Sequence, residues 1–319
     1  MEAFFEEMIH KDSKILLALS GGPDSMYLLY RLVEYRKKVP FLLEAAHLHH
    51  GLREEADRDL DFVRNICKKW NVNLIEKHVQ VGEYAKEHKL GIEEAGRLLR
   101  YEFFRERKRE GGMIALAHHL DDQVETMLLR MIRGTGLEGI CGMSVVEGDL
   151  YRPLLHLTKK EILDYLHRNE IPYVLAVSYT HLRAHRNKVR LEIVPSAESI
   201  NPNFAQVMES FRSMAVEDAE YLKSEARKLY EENKKVRDGD VVLCGDLFNE
   251  PPSIWSRILR LGIEEVRGDL KNISYEHIRS LNVLKTDETG KGVDLPGCRI
   301  SRSYGEIVIS KDLPEAPHI

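Results

Sequence analysis

Residues 16–32 read LLALSGGPDSMYLLYRL. An apolar run stops at two glycines, a proline and an aspartate, and an apolar pattern then resumes at helical spacing. A strand that ends in a glycine-rich turn and feeds a helix is a phosphate site on physical grounds. The glycines let the backbone approach an anion closely, and the first N–H groups of the helix are unpaired and lie at the positive end of its dipole. The hydroxyls of Ser20 and Ser25 add donors, so Ser20, Gly21, Gly22, Pro23, Asp24 and Ser25 form the candidate nucleotide-binding turn. The lysine of a GxxxxGK[ST] loop is missing, since Met26 follows the turn, and the GxGxxG of dinucleotide folds is missing as well. A carboxylate beside a polyphosphate is repulsive unless a cation lies between them, so Asp24 reads as a Mg²⁺ ligand. An acid that merely favours the dipole would explain Asp24, but not two glycines between two serines.

Working outward, residues 1–175 alternate between two periods. Residues 14–20, 41–49, 72–81 and 113–117 have strand character, and residues 24–38, 54–70, 93–109 and 121–133 have helical spacing. This predicts an α/β fold, a doubly wound parallel sheet of Rossmann type. Thr158 and Glu161 predict a capping box at the start of KKEILDYLHRNE. From Pro172 to Pro202 the periodicity is weak, which suggests a connector or a substrate-contacting loop. Residues 204–235 read as one long polar helix joining domains. DVVLCGDLF then reads as a strand, PSIWSRILRLG and SYEHIRSLN as short helices, and GVDLPGCRISRSYGEIVIS as strands with Gly-containing turns. The division is a nucleotide-binding domain over 1–200, a helical linker over 201–237 and a small α+β substrate domain over 238–319.

The chain of 319 residues is 43% hydrophobic and 31% charged, with no apolar run near the length of a membrane span. Its first residues, MEAFFEEMIH, lack the layout of a signal peptide. Cys67, Cys141, Cys244 and Cys298 are scattered without a CxxC pair and read as thiols of a reducing compartment, hence a cytoplasmic protein. Net charge is −5, yet residues 97–110 hold six Arg/Lys against three Glu, and residues 180–190 hold four Arg/Lys and no acid. Either stretch suits a phosphate backbone or a solvated helix face.

SGGPDS after a first strand resembles the pyrophosphate-loop ATPases, of adenine-nucleotide alpha-hydrolase-like fold. That resemblance implies ATP as substrate, split between its α- and β-phosphates, with AMP passed to an acceptor. Four further stretches narrow it: HLHHGLREEADRDLDFV (47–63), GIEEAGRLLRYEFF (91–104), ALAHHLDDQVETMLLRMIRGTGLEGICGM (115–143) and YRPLLHLTKKEI (151–162). In this order and spacing they resemble the tRNA(Ile)-lysidine synthetase family over about residues 12–175. The likeness resumes at RNKVR (186–190) and is weaker in LPGCRISRSYGEIVI (295–309). The resemblance implies a C–N-bond-forming ligase. It adenylates C2 of the wobble cytidine of a tRNA(Ile) with a CAU anticodon, and the side-chain amine of free L-lysine then displaces AMP. It implies Mg²⁺, no organic cofactor and no membrane, and leaves room for a homodimer.

The residues can be read beside that resemblance. In HHLDDQVET, Asp121, Asp122 and Glu125 fall on one helix face, and carboxylates gathered near a phosphate site need cations. Asp121 and Glu125 are assigned to lysine or metal contact, with Asp122 as a further lysine ligand. His118 and His119 at the preceding strand end support a functional reading. His47, His49 and His50 have no Cys or Glu nearby to complete a metal site, so His49 and Gly51 read as nucleotide-lining and Arg53 as a phosphate contact. Arg97, Arg100 and Tyr101 follow the family's ARxxRYxFF pattern, with Gly96 for Ala. Arg100 is the candidate to meet charge on the α-phosphate, which makes Asp24, Arg100, Asp121 and Glu125 the catalytic set. Tyr101, Phe103 and Phe104 read as core. Arg97, Arg133, Arg186, Asn187 and Arg190 are assigned to tRNA.

The sequence departs from the family at Ala176 and Tyr179, where an Asp and an Asn are usual, with Ser178 retained. SYTHLRAH (178–185) has no family likeness and is similar to translated sequencing-library adapter; resequencing decides whether its codons are native. The chain is also shorter than long family members, as a short form or a truncated long one. The competing readings are a pyrophosphate-loop tRNA thiolase, which the scattered cysteines disfavour, and a tRNA-binding protein with a damaged or regulatory nucleotide site.

Overall fold

The structure, a computed structural model, describes residues 2–49, 55–175, 184–286 and 290–311. It divides into two compact units, Met1–Ala215 and Val216–Ile319. In chain order the first contains α1 (Glu2–Met8), β1 (Lys14–Ala18), α2 (Pro23–Arg36), β2 (Leu42–His49), α3 (Glu55–Lys69), β3 (Asn73–His78), α4 (Val81–Glu87) and α5 (Ile92–Arg107). Then come β4 (Met113–Ala115), α6 (Leu120–Ile132), α7 (Leu137–Ile140), β5 (Val146–Glu147), β6 (Leu150–Tyr151) and α8 (Lys159–Arg168). A helical run follows, made of α9 (Ala184–Lys188), a π-helical turn (Val189–Ile193) and α10 (Val194–Ile200).

β1 is apolar after its first lysine because both of its faces are covered. It pairs in parallel with β2 (Leu17↔Ala45) on one side and with β4 (Leu16↔Ile114) on the other. The sheet order is β3-β2-β1-β4-β6-β5, and only the edge strand β5 runs antiparallel. Alternation sends successive residues to opposite faces. Ile15, Leu17, Leu43, Ala45 and Ala115 join a core with Met26, Leu28 and Leu29 of α2, Val63 of α3 and Ile162 of α8. Leu16, Ala46, Leu48, Ile114 and Leu116 meet Phe103 and Phe104 of α5 on the other face. Each fully buried side chain of this size contributes about 1.5–3 kcal/mol. Glu44 is buried on β2 and accepts from Arg109 at 2.9 and 3.0 Å and from Asn73 at 2.8 Å. Arg109 holds its carboxyl below the usual range despite the burial.

Three local expectations need correction. α4 and the β5–β6 hairpin arise where no periodicity marked them, because each is too short to show a period. DVVLCGDLF is a strand only to Cys244, after which 245–249 forms a 3₁₀ turn. The segment 172–202, expected as a connector or a substrate-contacting loop of weak periodicity, is helical over 184–200. What holds that helix is tertiary: Val189 is buried, and Arg186 and Arg190 bond to carboxylates on α6.

α11 (Phe204–Asn233) is the long helix expected from 204, and the break between units falls inside it. Its later residues Ala226 and Tyr230 belong to the core of the second unit. That unit adds β7 (Lys235–Arg237), β8 (Asp240–Cys244), α12 (Pro252–Arg267), α13 (Tyr275–Ser280), β9 (Gly292–Leu295), β10 (Cys298–Ser303) and β11 (Glu306–Ser310). Its sheet is antiparallel, in the order β7-β8-β11-β10-β9, and Trp255, Ile258, Leu259 and Ile263 of α12 join its core with Ile300, Ile307 and Ile309. Among the described residues no helix is long and apolar enough to cross a membrane.

The capping box at α8 is present: Thr158 Oγ1 accepts from the Glu161 N–H at 3.2 Å, and the Glu161 carboxylate accepts from the Thr158 N–H at 2.7 Å. Thr158→Ala should therefore cost about 1 kcal/mol, read as a drop of about 2–4 °C in the thermal unfolding midpoint.

Candidate active site

In the strand order β3-β2-β1-β4, the chain leaves β1 toward one edge and returns to β4 on its other side. The turns after β1 and β4 therefore part at a topological switch point, where open α/β sheets leave a crevice. The turn after β1 is residues 19–22. Gly21 takes φ +85, and a Cβ there would lie 3.0 Å from Val174 and 3.1 Å from Val63, so glycine is required. Its carbonyl accepts from the Val174 N–H at 3.0 Å. The two serines shape the turn from inside. Ser25 Oγ donates to the Gly22 carbonyl at 3.0 Å and accepts from the Ser20 N–H at 3.3 Å, and the two hydroxyls lie 3.1 Å apart. His47, at the end of β2, donates from Nδ1 to the Leu19 carbonyl at 2.8 Å. Burial keeps that imidazole below its ordinary pKa and so neutral. Pro23 and Asp24 open α2, with Gly22 as an extended N-cap.

The turn after β4 holds His118 and His119 and ends at the N-terminus of α6. The Asp122 carboxylate caps the His119 N–H at 3.2 Å. His119 is buried among three acids, with Nε2 3.9 Å from Asp24 Oδ2 and 3.4 Å from Asp122 Oδ2, and Nδ1 3.3 Å from Asp121 Oδ2. Burial alone would lower its pKa; the three carboxylates outweigh that and raise it. Asp121 and Asp122 are correspondingly held below the carboxylate range against their own burial, by His119 and by the Lys159 N–H and Arg186 respectively. Burial drives His118 the other way, to about 4.

The structure gathers Asp24, Asp121, Asp122 and Glu125 around two sets of cations. Glu125 is almost wholly buried, and its oxygens accept from Arg186 Nε at 2.9 Å and Arg190 Nε at 2.5 Å. Arg190 also lies 3.4 Å from Asp122, and Arg186 bonds to the Asp122 carbonyl and to Thr126. Two arginines expected on RNA thus have guanidinium groups turned to the carboxylates of α6. Lys159, which the sequence reading did not single out, donates from Nζ to Asp24 Oδ1 at 2.5 Å and from its backbone N–H to Asp121 Oδ2 at 2.8 Å. One signal for it was present: a lysine in the first turn of a helix opposes the dipole and needs another partner.

Arg100 is half-buried on α5, and Arg97 on the same helix is exposed, its guanidinium 5.7 Å from the Tyr101 ring. Arg133 is exposed at the C-cap of α6, about 18 Å along the axis from Asp121. Asn187 is half-buried on α9. His49 is buried at the end of β2, with Nε2 3.3 Å from Asp57. His50, Gly51 and Arg53 lie outside the described residues, as do Ala176, Ser178 and Tyr179. Among the described residues no group of three or more His, Cys, Asp or Glu is arranged to hold a metal ion by itself.

The turn, the crevice and the converging helix N-termini define a pyrophosphate-loop nucleotide-binding protein, and the family described as a PP-loop domain matches residues 1–197. A tRNA(Ile)-lysidine synthase of Petrotoga mobilis is 41% identical over 232 residues, covering 72% of this chain and 73% of its own. One from Clostridium tetani is 36% identical over 310 residues, 95% of this chain. The chain belongs to the tRNA(Ile)-lysidine synthase family, and it spans 66% of the length of that clostridial relative. Among solved structures it is similar to the U34-tRNA thiolase NcsA from Methanococcus maripaludis with its [4Fe-4S] cluster. That likeness has a TM-score of 0.52 over 68% of this chain and 77% of the other, and at 18% identity it is one of fold.

The histidines set a pH dependence. Protonated His119, with its raised pKa, favours the native state; its contribution is full below the ordinary value of 6.5 and is lost as pH rises through the native value. His118 and His156 sit at about 4 through burial, so stability is lost as pH falls from 6.5 toward that value. Thermal unfolding across this range should give a maximum near neutrality. His119→Asn should flatten the alkaline limb, and His118→Asn the acid limb.

Proposed function

We propose that this chain makes lysidine: it adenylates C2 of the wobble cytidine of CAU-anticodon tRNA(Ile) with ATP, and the side-chain amine of free L-lysine then displaces AMP. The observation that carries the reading is the meeting of two helix N-termini. The phosphate-binding turn of α2 and the carboxylates of α6 share His119 and Lys159, within 4 Å of Asp24 and Asp121. A polyphosphate at the first site and a cationic amine at the second would thus lie side by side, as a two-step transfer needs.

The parts follow from the placement. The N–H groups that open α2 take phosphate oxygens, while Ser20 and Ser25 keep the turn in shape. Mg²⁺ commonly takes one or two carboxylates and completes its shell with phosphate oxygens and water, and Asp24 offers such a carboxylate. Bound there, the ion would shield phosphate charge. The lysine ammonium goes to Asp121 and Asp122, the former being the more exposed, with Glu125 adding its charge from behind the two arginines. Arg100 meets the α-phosphate. Arg97 and Arg133, with the outer edges of Arg186, Asn187 and Arg190, meet the tRNA backbone. The thiolase reading is weaker: Cys67 and Cys298 are buried, and burial pushes the Cys67 thiol up to about 12.

The test is incubation with unmodified tRNA(Ile), ATP, Mg²⁺ and labelled lysine, followed by nucleoside analysis. Label in a modified cytidine, with AMP and pyrophosphate formed in step, is the expected result; ATP binding with no transfer of label would contradict it. Asp24→Ala should abolish AMP formation with the thermal midpoint little changed, and near-normal turnover would remove Asp24 from the mechanism.

A further inference from the structure

The turn 20–25 contains no lysine or arginine, yet cleavage of ATP there releases a pyrophosphate whose charge something must meet. An ammonium reaches the turn from another element. Lys159 is the first residue of α8, directly after the N-cap Thr158. A cation at that position is disfavoured by its own helix. Its Nζ instead crosses to Asp24 in the first turn of α2, and its backbone N–H is bonded to Asp121. The base from which it reaches is rigid. The Thr158–Glu161 box fixes the start of α8, the Leu120 N–H donates to the Leu157 carbonyl at 2.8 Å, and the Tyr165 ring meets the Tyr27 ring edge-on at 5.0 Å. The Lys159 side chain is 33% exposed and that of Asp24 27%, so the pair has an open side toward a ligand.

We propose that Lys159 is a catalytic residue of the adenylation step, the ammonium that contacts the β- and γ-phosphate oxygens and neutralises pyrophosphate as it leaves. This rests on the lysidine reading only through its first half, the cleavage of ATP at its α-phosphorus. The acceptor oxygen bonds to the α-phosphorus, the bond from that phosphorus to the α,β-bridging oxygen breaks, and its electron pair stays with the departing pyrophosphate. Lys159 remains protonated and donates hydrogen bonds to that growing charge, while Asp24 keeps the ammonium aimed. A cation placed in advance where charge develops stabilises the transition state more than the ground state. Its loss is therefore felt in kcat beyond any change in KM.

The test compares Lys159→Met and Lys159→Arg in the full chain, with Lys159→Gln replacing the first if it does not fold. The expected result for loss of the charge is a fall of roughly 10²–10³-fold in kcat for tRNA- and lysine-dependent pyrophosphate release. The KM for ATP should change less than that, inhibition by added inorganic pyrophosphate should weaken at least tenfold, and arginine should restore at least tenfold of the lost rate. A neutral variant within threefold of wild type overturns the proposal, and so does an arginine variant no better than methionine. If the wild-type chain forms no lysidine, that reading falls by itself. Lys159 is then judged by direct binding of inorganic pyrophosphate: tenfold weaker binding to the neutral variant supports the assignment, and equal binding overturns it.

Discussion

The parallel pairing of β1 with β4, through Ile15↔Met113, Leu16↔Ile114 and Leu17↔Ala115, is the constraint on which the site depends. β1 pairs with β2 on its other edge, so the chain must cross over to reach β4, and the turns after β1 and β4 diverge. That divergence sets the N-termini of α2 and α6 beside each other. The strands hold this register because their alternate residues are apolar on both faces, and a slip of one residue would exchange the two cores. The crevice thus follows from the same side chains that bury the sheet.

Charge is the second constraint. Asp24, Asp121, Asp122 and Glu125 are met by Lys159, Arg186 and Arg190, and His119 adds a further positive charge when protonated. A buried carboxylate without a partner would cost several kcal/mol. The arginines close over Glu125, the deepest acid, whereas Asp24 and Asp121 keep accessible edges. This gradient leaves the outer acids for ligand cations and the inner one for holding α9 and the π-helical turn against α6.

Much of this was legible in the sequence. The strand–turn–helix at 16–32, the β/α alternation that follows and the capping box at Thr158 all rest on local chemistry that a single chain displays. The acids of α6 were legible as a group because a helix puts Asp121, Asp122 and Glu125 on one side. What sequence could not give was pairing across long separations. Arg186 and Arg190 lie some sixty residues from Glu125, and Lys159 lies 135 from Asp24. The helix over 184–200 was hidden for the same reason, since ion pairs and one buried valine hold it and no apolar stripe marks it. The serines of the turn were read as ligand donors, and their hydroxyls are first spent on the turn's own shape.

The most direct measurement is a crystal structure of the chain with a non-hydrolysable ATP analogue. The account predicts the phosphates at the first N–H groups of α2, with Gly21 and Gly22 against them and the paired Asp24 and Lys159 beside them. Phosphates lodged at another part of the chain, with the turn 20–25 untouched, would contradict it.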